Sequence, residues 1–398
     1  MPPPTDSPLR IGVVCYPTYG GSGVVATELG LGLARRGHEV HFVSYRQPAR
    51  YKGFEANVYY HEVAAVEYPL FEYTPYDTAL ASKLVEVVQR ERLDLLHVHY
   101  AIPHATVAFL AREILRARGL RVPFVTTLHG TDITLVGQNP AFSPVVEFGI
   151  GSSDAVTAVS ASLRRDTLES FGVSRPIEVV PNFIDLERFR KTDKQHFKLA
   201  IAPEGERILT HVSNFRPVKR IQDVVEVFRI VHEQLPSKLL LIGDGPERYR
   251  AEELVKAYDL GSCTHFLGKQ DAIEELLAIA DVFLMPSASE SFGLAALEAM
   301  ACGVPVVSSN AGGLPEVNVN GVTGYLNEVG DVRGMAANAV KLLRDGDVLQ
   351  TFRERAYAQA QRFDINEVLP QYEAVYRGVL TGGEIENAAA LTTTPTTP

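Results

Sequence analysis

Leu9-Arg10-Ile11-Gly12-Val13-Val14-Cys15, then Tyr16-Pro17-Thr18-Tyr19-Gly20-Gly21-Ser22-Gly23, then a helical pattern over 24–36: a short apolar run, a glycine-rich turn and a helix follow one another. A nearly continuous apolar run of this length reads as a strand covered on both faces, as in a parallel sheet. Further runs lie at 40–44, 93–98, 122–128, 155–159 and 177–180, with helical stretches such as 78–91 and 105–118 between them. This is βαβ repetition, which predicts a doubly wound sheet. The pattern then restarts. Strands are expected at 208–212, 238–242, 265–267, 282–285 and 304–308, and helices at 221–235, 247–258, 272–280 and 294–301. The polar stretch 188–206 reads as a linker. The expectation is an α/β chain of two Rossmann-like halves, 1–187 and 188–363, whose ligands sit at the carboxyl ends of strands. The end is helical over 334–363, with breaks, and over 365–380. Residues 381–398 turn to Gly, Ala, Thr and Pro, which cannot bury enough apolar area to order, so a disordered tail is expected.

Bulk numbers agree. At 398 residues the chain exceeds one compact core. It is 46% hydrophobic and 22% charged, as an ordinary globular protein is. No apolar run is long enough to span a bilayer, so no membrane association is expected. Met1 to Pro8 lack the basic-then-apolar pattern of an export signal, and the expected compartment is the cytoplasm. Three scattered cysteines, Cys15, Cys263 and Cys302, read as buried reduced thiols. A net charge of -10 argues against nucleic acid as the main partner.

Four segments carry candidate chemistry. After the first strand, the glycine-rich turn leads into a helix start, expected at Val24, whose unpaired N–H groups suit an anion. A tight turn without a ligand fits these residues equally well, and the Gly-x-Gly-x-x-Gly spacing of dinucleotide sites is missing. Asn214-Phe215-Arg216-Pro217-Val218-Lys219-Arg220 follows the strand at 208–212, so Arg216 and Lys219 are placed to converge on a diphosphate. A solvated basic loop is the plainer reading. Ser289-Glu290-Ser291-Phe292-Gly293-Leu294-Ala295-Ala296-Leu297-Glu298-Ala299-Met300 follows the strand at 282–285. There Gly293 lets a ligand approach the helix start, Glu290 faces a sugar, and Glu298, on the exposed side of the helix, accepts from ribose hydroxyls. The alternative is a cap acid and a surface acid. His129-Gly130-Thr131-Asp132 follows the strand at 122–128, and His129 reads as functional because Gly130 leaves its surroundings open. His97 and His99 share one strand face and read as structural. No ligand spacing for a metal is present.

The stretch from Glu290 to Glu298 resembles the E-x7-E signature of the retaining glycosyltransferases of family 4. Arg216 and Lys219 resemble that family's diphosphate-binding pair, and Gly243-Asp244-Gly245-Pro246 its strand-end turn. The likeness runs from Ile11 to about Leu380. It implies a GT-B fold, two Rossmann-like domains facing a central cleft, with helix 364–380 crossing back onto the first. It implies no cofactor and no metal. The segments from Cys15 to Gly30, His97 to His104 and Thr126 to Thr134 further resemble the members that join N-acetylglucosamine to L-malate at the start of bacillithiol synthesis. That implies UDP-GlcNAc and L-malate as partners and admits a homodimer. Carried over, catalysis falls to His129, Glu290, Arg216 and Lys219. The donor would meet Gly21, Arg216, Lys219, Leu267, Gly268, Glu290, Ser291, Phe292, Gly293, Leu294 and Glu298, and the acceptor Ser22, Tyr100, Thr127 and Asn182. Rival readings are a family 4 enzyme with an inositol phosphate, sugar or lipid acceptor, a UDP-GlcNAc 2-epimerase, and a UDP-sugar binder without turnover.

Overall fold

The computed structural model describes residues 7–18, 20–64 and 75–382. Tyr19, residues 1–6 of the N-terminal stretch and residues 383–398 of the expected tail lie outside the described residues.

Among the described residues thirteen strands form two sheets. The first contains β1 (Arg10–Val14), β2 (Glu39–Ser44), β3 (Val58–Glu62), β4 (Leu95–His99), β5 (Phe124–Leu128), β6 (Ala155–Ala158) and β7 (Ile177–Val179), in the order β3-β2-β1-β4-β5-β6-β7. The second contains β8 (Arg207–Ser213), β9 (Ser237–Gly243), β10 (Thr264–Gly268), β11 (Val282–Met285), β12 (Val306–Ser309) and β13 (Gly324–Asn327), in the order β10-β9-β8-β11-β12-β13. Pairings from β3 through β5 and from β10 through β13 are parallel. In each sheet the order reverses beside the first strand of the series, which is the switch point where such folds bind ligands.

The described chain divides into two compact units. The first holds residues up to Thr157, Ser170–Glu178 and residues from Leu369 on; the second holds Ala158–Glu169 and Val179–Val368. In the first, Val14, Val98 and Phe124 pack with Leu80, Leu84 and Val88 of the helix Tyr76–Glu91 and with Ala108 and Leu115 of the helix Thr106–Ala117. In the second, Leu209, Leu241, Leu284 and Val307 pack with Val224 and Phe228 of the helix Ile221–His232 and Leu342 of the helix Val332–Arg344. Each such side chain contributes about 1.5–3 kcal/mol of burial.

The stretch 188–206 carries a helix, Gln195–Ile201, and Phe197 and Ile201 pack on a cluster of Ala202, Ile208, Leu240 and Ile279. It is thus built onto the second unit. The last helix, Ile365–Thr381, joins the first unit from Leu369 onward. There Tyr372 and Tyr376 are fully buried, and Glu373 takes a two-pronged contact from Arg36 at 2.7 and 2.9 Å. The three cysteines are buried and free. Among the described residues no helix is long and apolar enough to cross a membrane, and no group of three His, Cys, Asp or Glu side chains is placed to hold a metal ion.

Candidate active site

In the first unit the helix after β1 begins at Gly21, three residues earlier than expected. Val24 N–H already donates to Gly20 C=O at 3.1 Å, so the unpaired donors are those of the first turn, Gly21 to Gly23. Gly23 is required by close packing: a Cβ there would lie 2.3 Å from the carbonyl oxygen of Thr18. Gly21 is exposed with open space beside it.

Next to this turn, Tyr100 O–H donates to Ser22 Oγ at 2.7 Å. Tyr100 holds φ +85°, a conformation that costs a non-glycine residue of order 1–3 kcal/mol and persists where the surroundings over-determine it. Its ring lies 5.3 Å from the ring of His129. Ser22, Tyr100 and His129 thus come together. Thr127 lies deeper, fully buried, its hydroxyl 2.7 Å from both His97 Nε2 and Thr157 Oγ1.

The neighbourhood of His129 is not open as expected. The side chain is buried, and its Nε2 lies 2.8 Å from His99 Nδ1. Parallel pairing of β4 with β5 sets His99 beside Thr127, and with side chains alternating along a strand, residue 129 returns to the same face. Burial pushes His129 down to about 3, His97 to about 3 and His104 to about 4, and lowers His99 well below the ordinary histidine range. All four rings are neutral at pH 7. Asp132 fastens the loops around them. Its carboxylate accepts from Ala101 N–H at 2.9 Å, Gly130 N–H at 3.0 Å and His129 N–H at 3.3 Å, and burial raises it to about 6.

The second unit has a different character. Lys219 Nζ meets Glu290 Oε1 at 2.5 Å, both side chains mostly buried. Arg216 Nε is buried and has no hydrogen-bond partner among the described residues. The loops carrying these groups are tied to one another. Ala288 N–H donates to Val218 C=O at 2.8 Å, Gly313 N–H to Glu290 C=O at 2.8 Å, and Ser309 O–H to Ser287 C=O at 2.5 Å. Gly293 caps the helix Leu294–Ala301 at φ +102°, and a Cβ there would stand 2.6 Å from Leu314 Cδ2. No side chain caps this helix, whose first backbone bond is Leu297 N–H to Gly293 C=O at 3.1 Å. The N–H groups of Leu294, Ala295 and Ala296 therefore lack a partner within the helix.

Glu298 is 7% exposed, not on an open helix face. The helix is buried on almost every side from Ala296 to Ala301, so the acid lies beneath the loops. Phe292 turns its ring inward, edge-on to Phe363 with centroids 5.6 Å apart, which leaves its backbone for any ligand. Ser291 is half-buried beside it. Leu267 packs on the apolar cluster around Ile208, and Gly268 ends β10 at φ +64° beside a register shift. Asn182 belongs to the second unit. It is buried, and its Oδ1 lacks a partner among the described residues.

Two family models match the chain: Glycosyltransferase Family 4 over residues 19–188 and Glycosyl transferases group 1 over residues 191–359. The chain is 50% identical over 374 residues to the N-acetyl-alpha-D-glucosaminyl L-malate synthase of Bacillus anthracis, covering 94% of this chain and 97% of that one. It belongs to glycosyltransferase family 4. Among solved structures, sucrose-phosphate synthase from Thermosynechococcus elongatus superposes with a TM-score of 0.79 at 21% identity over 94% of this chain and 100% of the other. HepE of Anabaena, in complex with UDP-glucose, gives 0.78 at 22% over 94% and 100%. At that identity the likeness is one of fold, and the fold is GT-B.

His97 and His99 are fully buried, in keeping with the structural role expected of them, while Tyr376, 2.8 Å from His97 Nδ1, is a residue that nothing in the sequence singles out. The signal for the two histidines was the period-two spacing His97-Val98-His99, which puts both rings on one face of β4; the partner of that face is set by β5 and by a helix more than 270 residues away.

Proposed function

We propose that this glycosyltransferase moves N-acetylglucosamine from UDP-GlcNAc to the hydroxyl of L-malate, with retention at the anomeric carbon, as the first step of bacillithiol synthesis in the cytoplasm. The observation that carries the reading is identity: half of all aligned positions match a malate synthase across nearly the full length of both chains.

The geometry supports a division of labour. As UDP leaves, negative charge grows on the diphosphate while the anomeric carbon becomes cation-like. Arg216, Lys219 and the unpaired N–H groups after Gly293 are fixed in place by the interlocked loops, so they stabilise that charge without reorganising. Glu290, paired with Lys219, accepts from sugar hydroxyls, and the buried Glu298 from ribose. Backbone at Ser291, Phe292 and Leu294 lines the phosphate path, and Leu267 and Gly268 receive the base. On the first unit, Gly21 adds a backbone donor, and Ser22 and Tyr100 offer hydroxyls to the acceptor. Thr127 acts from beneath by holding His97. Asn182, with its unused Oδ1, is a further polar group proposed for the acceptor. The acceptor proton passes to the leaving phosphate on the same face, which accounts for retention without a covalent enzyme intermediate.

The test is release of UDP from UDP-GlcNAc in EDTA, with L-malate, D-malate, inositol phosphate or no acceptor. Stimulation by L-malate alone supports the proposal. Silence with malate and turnover with inositol phosphate would sink the acceptor assignment and leave the transferase standing.

A further inference from the structure

Four histidine rings lie in one buried cluster of the first unit, and the hydrogen bonds that reach them fix their tautomers. His104 Nδ1 faces the carbonyl oxygen of His99 at 2.6 Å. A carbonyl only accepts, so the proton is on Nδ1. Tyr376 O–H, fully buried, lies 2.8 Å from His97 Nδ1. The assignment that uses every proton has Tyr376 donate to His97 Nδ1 and His97 Nε2–H donate to Thr127 Oγ1 at 2.7 Å. That ring is thereby locked, and it lies 4.4 Å from the ring of His99.

His99 then has one partner to share with His129. Its Nδ1 faces His129 Nε2 at 2.8 Å, and its own Nε2 is sealed in the core with no partner among the described residues. Two arrangements exist. In one, His99 donates from Nδ1, and its buried Nε2 is a bare acceptor. In the other, His129 donates, and His99 carries a buried N–H with nothing to receive it. A buried orphan donor is the rarer and costlier defect. The first arrangement is therefore preferred. It leaves His129 protonated on Nδ1, an atom that has no partner among the described residues, on a residue that keeps 7% of its surface exposed.

We propose that His99 is a positioning residue: by donating to His129 Nε2 it fixes His129 as the Nδ1–H tautomer, so that His129 presents a neutral hydrogen-bond donor, not a base, to an oxygen of the bound substrate. The step to substrate rests on the transferase reading above; the tautomer does not. Neutrality follows from burial, which disfavours the charged ring. His129 faces His99 from β4, Tyr100 and His104 from the turn after β4, and Asp132 from its own loop; beyond these, the Tyr16 ring lies tilted against His104 with centroids 4.6 Å apart. A neutral donor polarises a substrate oxygen without adding repulsion next to a carbon that is becoming positive.

The experiment joins a direct and a kinetic readout on the full chain. Nitrogen-15 correlation spectra of the histidine rings, with His129 assigned from a His129→Gln variant, report which nitrogen carries the proton, without any substrate. The expected result is a proton on Nδ1 of His129 from pH 6 to 8; a proton on Nε2 overturns the proposal. In parallel, His99→Asn keeps an amide N–H near the position of the lost Nδ1–H, whereas His99→Leu removes it at similar volume. With loss of orientation worth roughly tenfold to a hundredfold in rate, His99→Leu should lose that much in kcat with KM for UDP-GlcNAc little changed, and His99→Asn should recover most of it. Equal losses in both folded variants, or full kcat in His99→Leu, would contradict a role through the donated proton. If the native protein transfers nothing from UDP-GlcNAc, the functional reading fails, while the tautomer spectra still decide the proposal about His99.

Discussion

The first unit lines its strand ends with buried neutral rings, His97, His99, His104 and His129, beside the hydroxyls of Ser22 and Tyr100; the second lines the equivalent positions with Arg216, Lys219, Glu290 and Glu298. Both are parallel sheets. On the proposed function, the same scaffold serves two opposite electrostatic tasks. A leaving diphosphate needs fixed positive charge, and charge is affordable where it is paired, as Lys219 is by Glu290. In the first unit burial instead strips the histidines of their protons.

The sharpest way to break this comparison is to remove charge from the second unit. Arg216→Ala and Lys219→Ala should each lower kcat/KM by about a hundredfold to a thousandfold, the loss expected for one preorganised donor on a transition-state anion. Steady-state kinetics decide it. Loss of less than tenfold in both would place the diphosphate elsewhere.

Acid should then separate the units. Histidines with lowered values number six in the first unit (His41, His61, His97, His99, His104, His129) and two in the second (His211, His265). A group held neutral in the fold supports stability above its unfolded value, near 6.5. That support is lost as pH falls toward the folded value, by up to about 1.4 kcal/mol per histidine per pH unit. Asp132 runs the other way, its contribution complete below 3.8 and lost as pH rises through about 6. The six histidines outweigh it. Amide exchange at pH 7 and pH 5 should show protection falling in β1, β4 and β5 before β8, β11 and β12; equal loss would contradict the contrast.

Gly293→Ala tests the backbone of the second site. With φ at +102° and Leu314 Cδ2 2.6 Å from the new Cβ, it should cost about 1–3 kcal/mol by denaturant titration and weaken UDP binding as the loop shifts. Unchanged UDP affinity in the folded variant would detach this helix start from the donor. The smallest expected effect is Tyr100→Phe, which removes the hydroxyl bonded to Ser22. With a hydrogen bond worth about 0.5–1.5 kcal/mol, KM for the acceptor should rise about two- to tenfold and that for the donor stay. A donor-only effect would reverse the assignment of the first unit.

Much of this was legible in the sequence, for a physical reason. Central strands covered on both faces read as apolar runs, and residues 9–15, 93–98 and 282–285 met β1, β4 and β11 closely. β3 and β13 were missed because neither Val58-Tyr59-Tyr60-His61-Glu62 nor Gly324-Tyr325-Leu326-Asn327 reads as an apolar run. Val58–Glu62 buries one residue of five, so it lacks the apolar run. The charged residues proposed to hold the donor stand out in the sequence because each pair, Arg216 with Lys219 and Glu290 with Glu298, lies close together after a single strand. The histidine pairing does not. His99 and His129 are thirty positions apart and Tyr376 is 279 from His97, and only strand register and the returning last helix join them. The burial of Glu298 escaped for a related reason: helix spacing gives the face but not what covers it.

The most direct test is proton NMR of the product from one reaction of UDP-GlcNAc, L-malate and this protein. The account predicts a single N-acetylglucosamine joined through its anomeric carbon to the malate hydroxyl, with the small H1–H2 coupling of an α-linkage, in equal amount to the UDP formed. A β-linkage, free N-acetylglucosamine or its 2-epimer as the main product would contradict it.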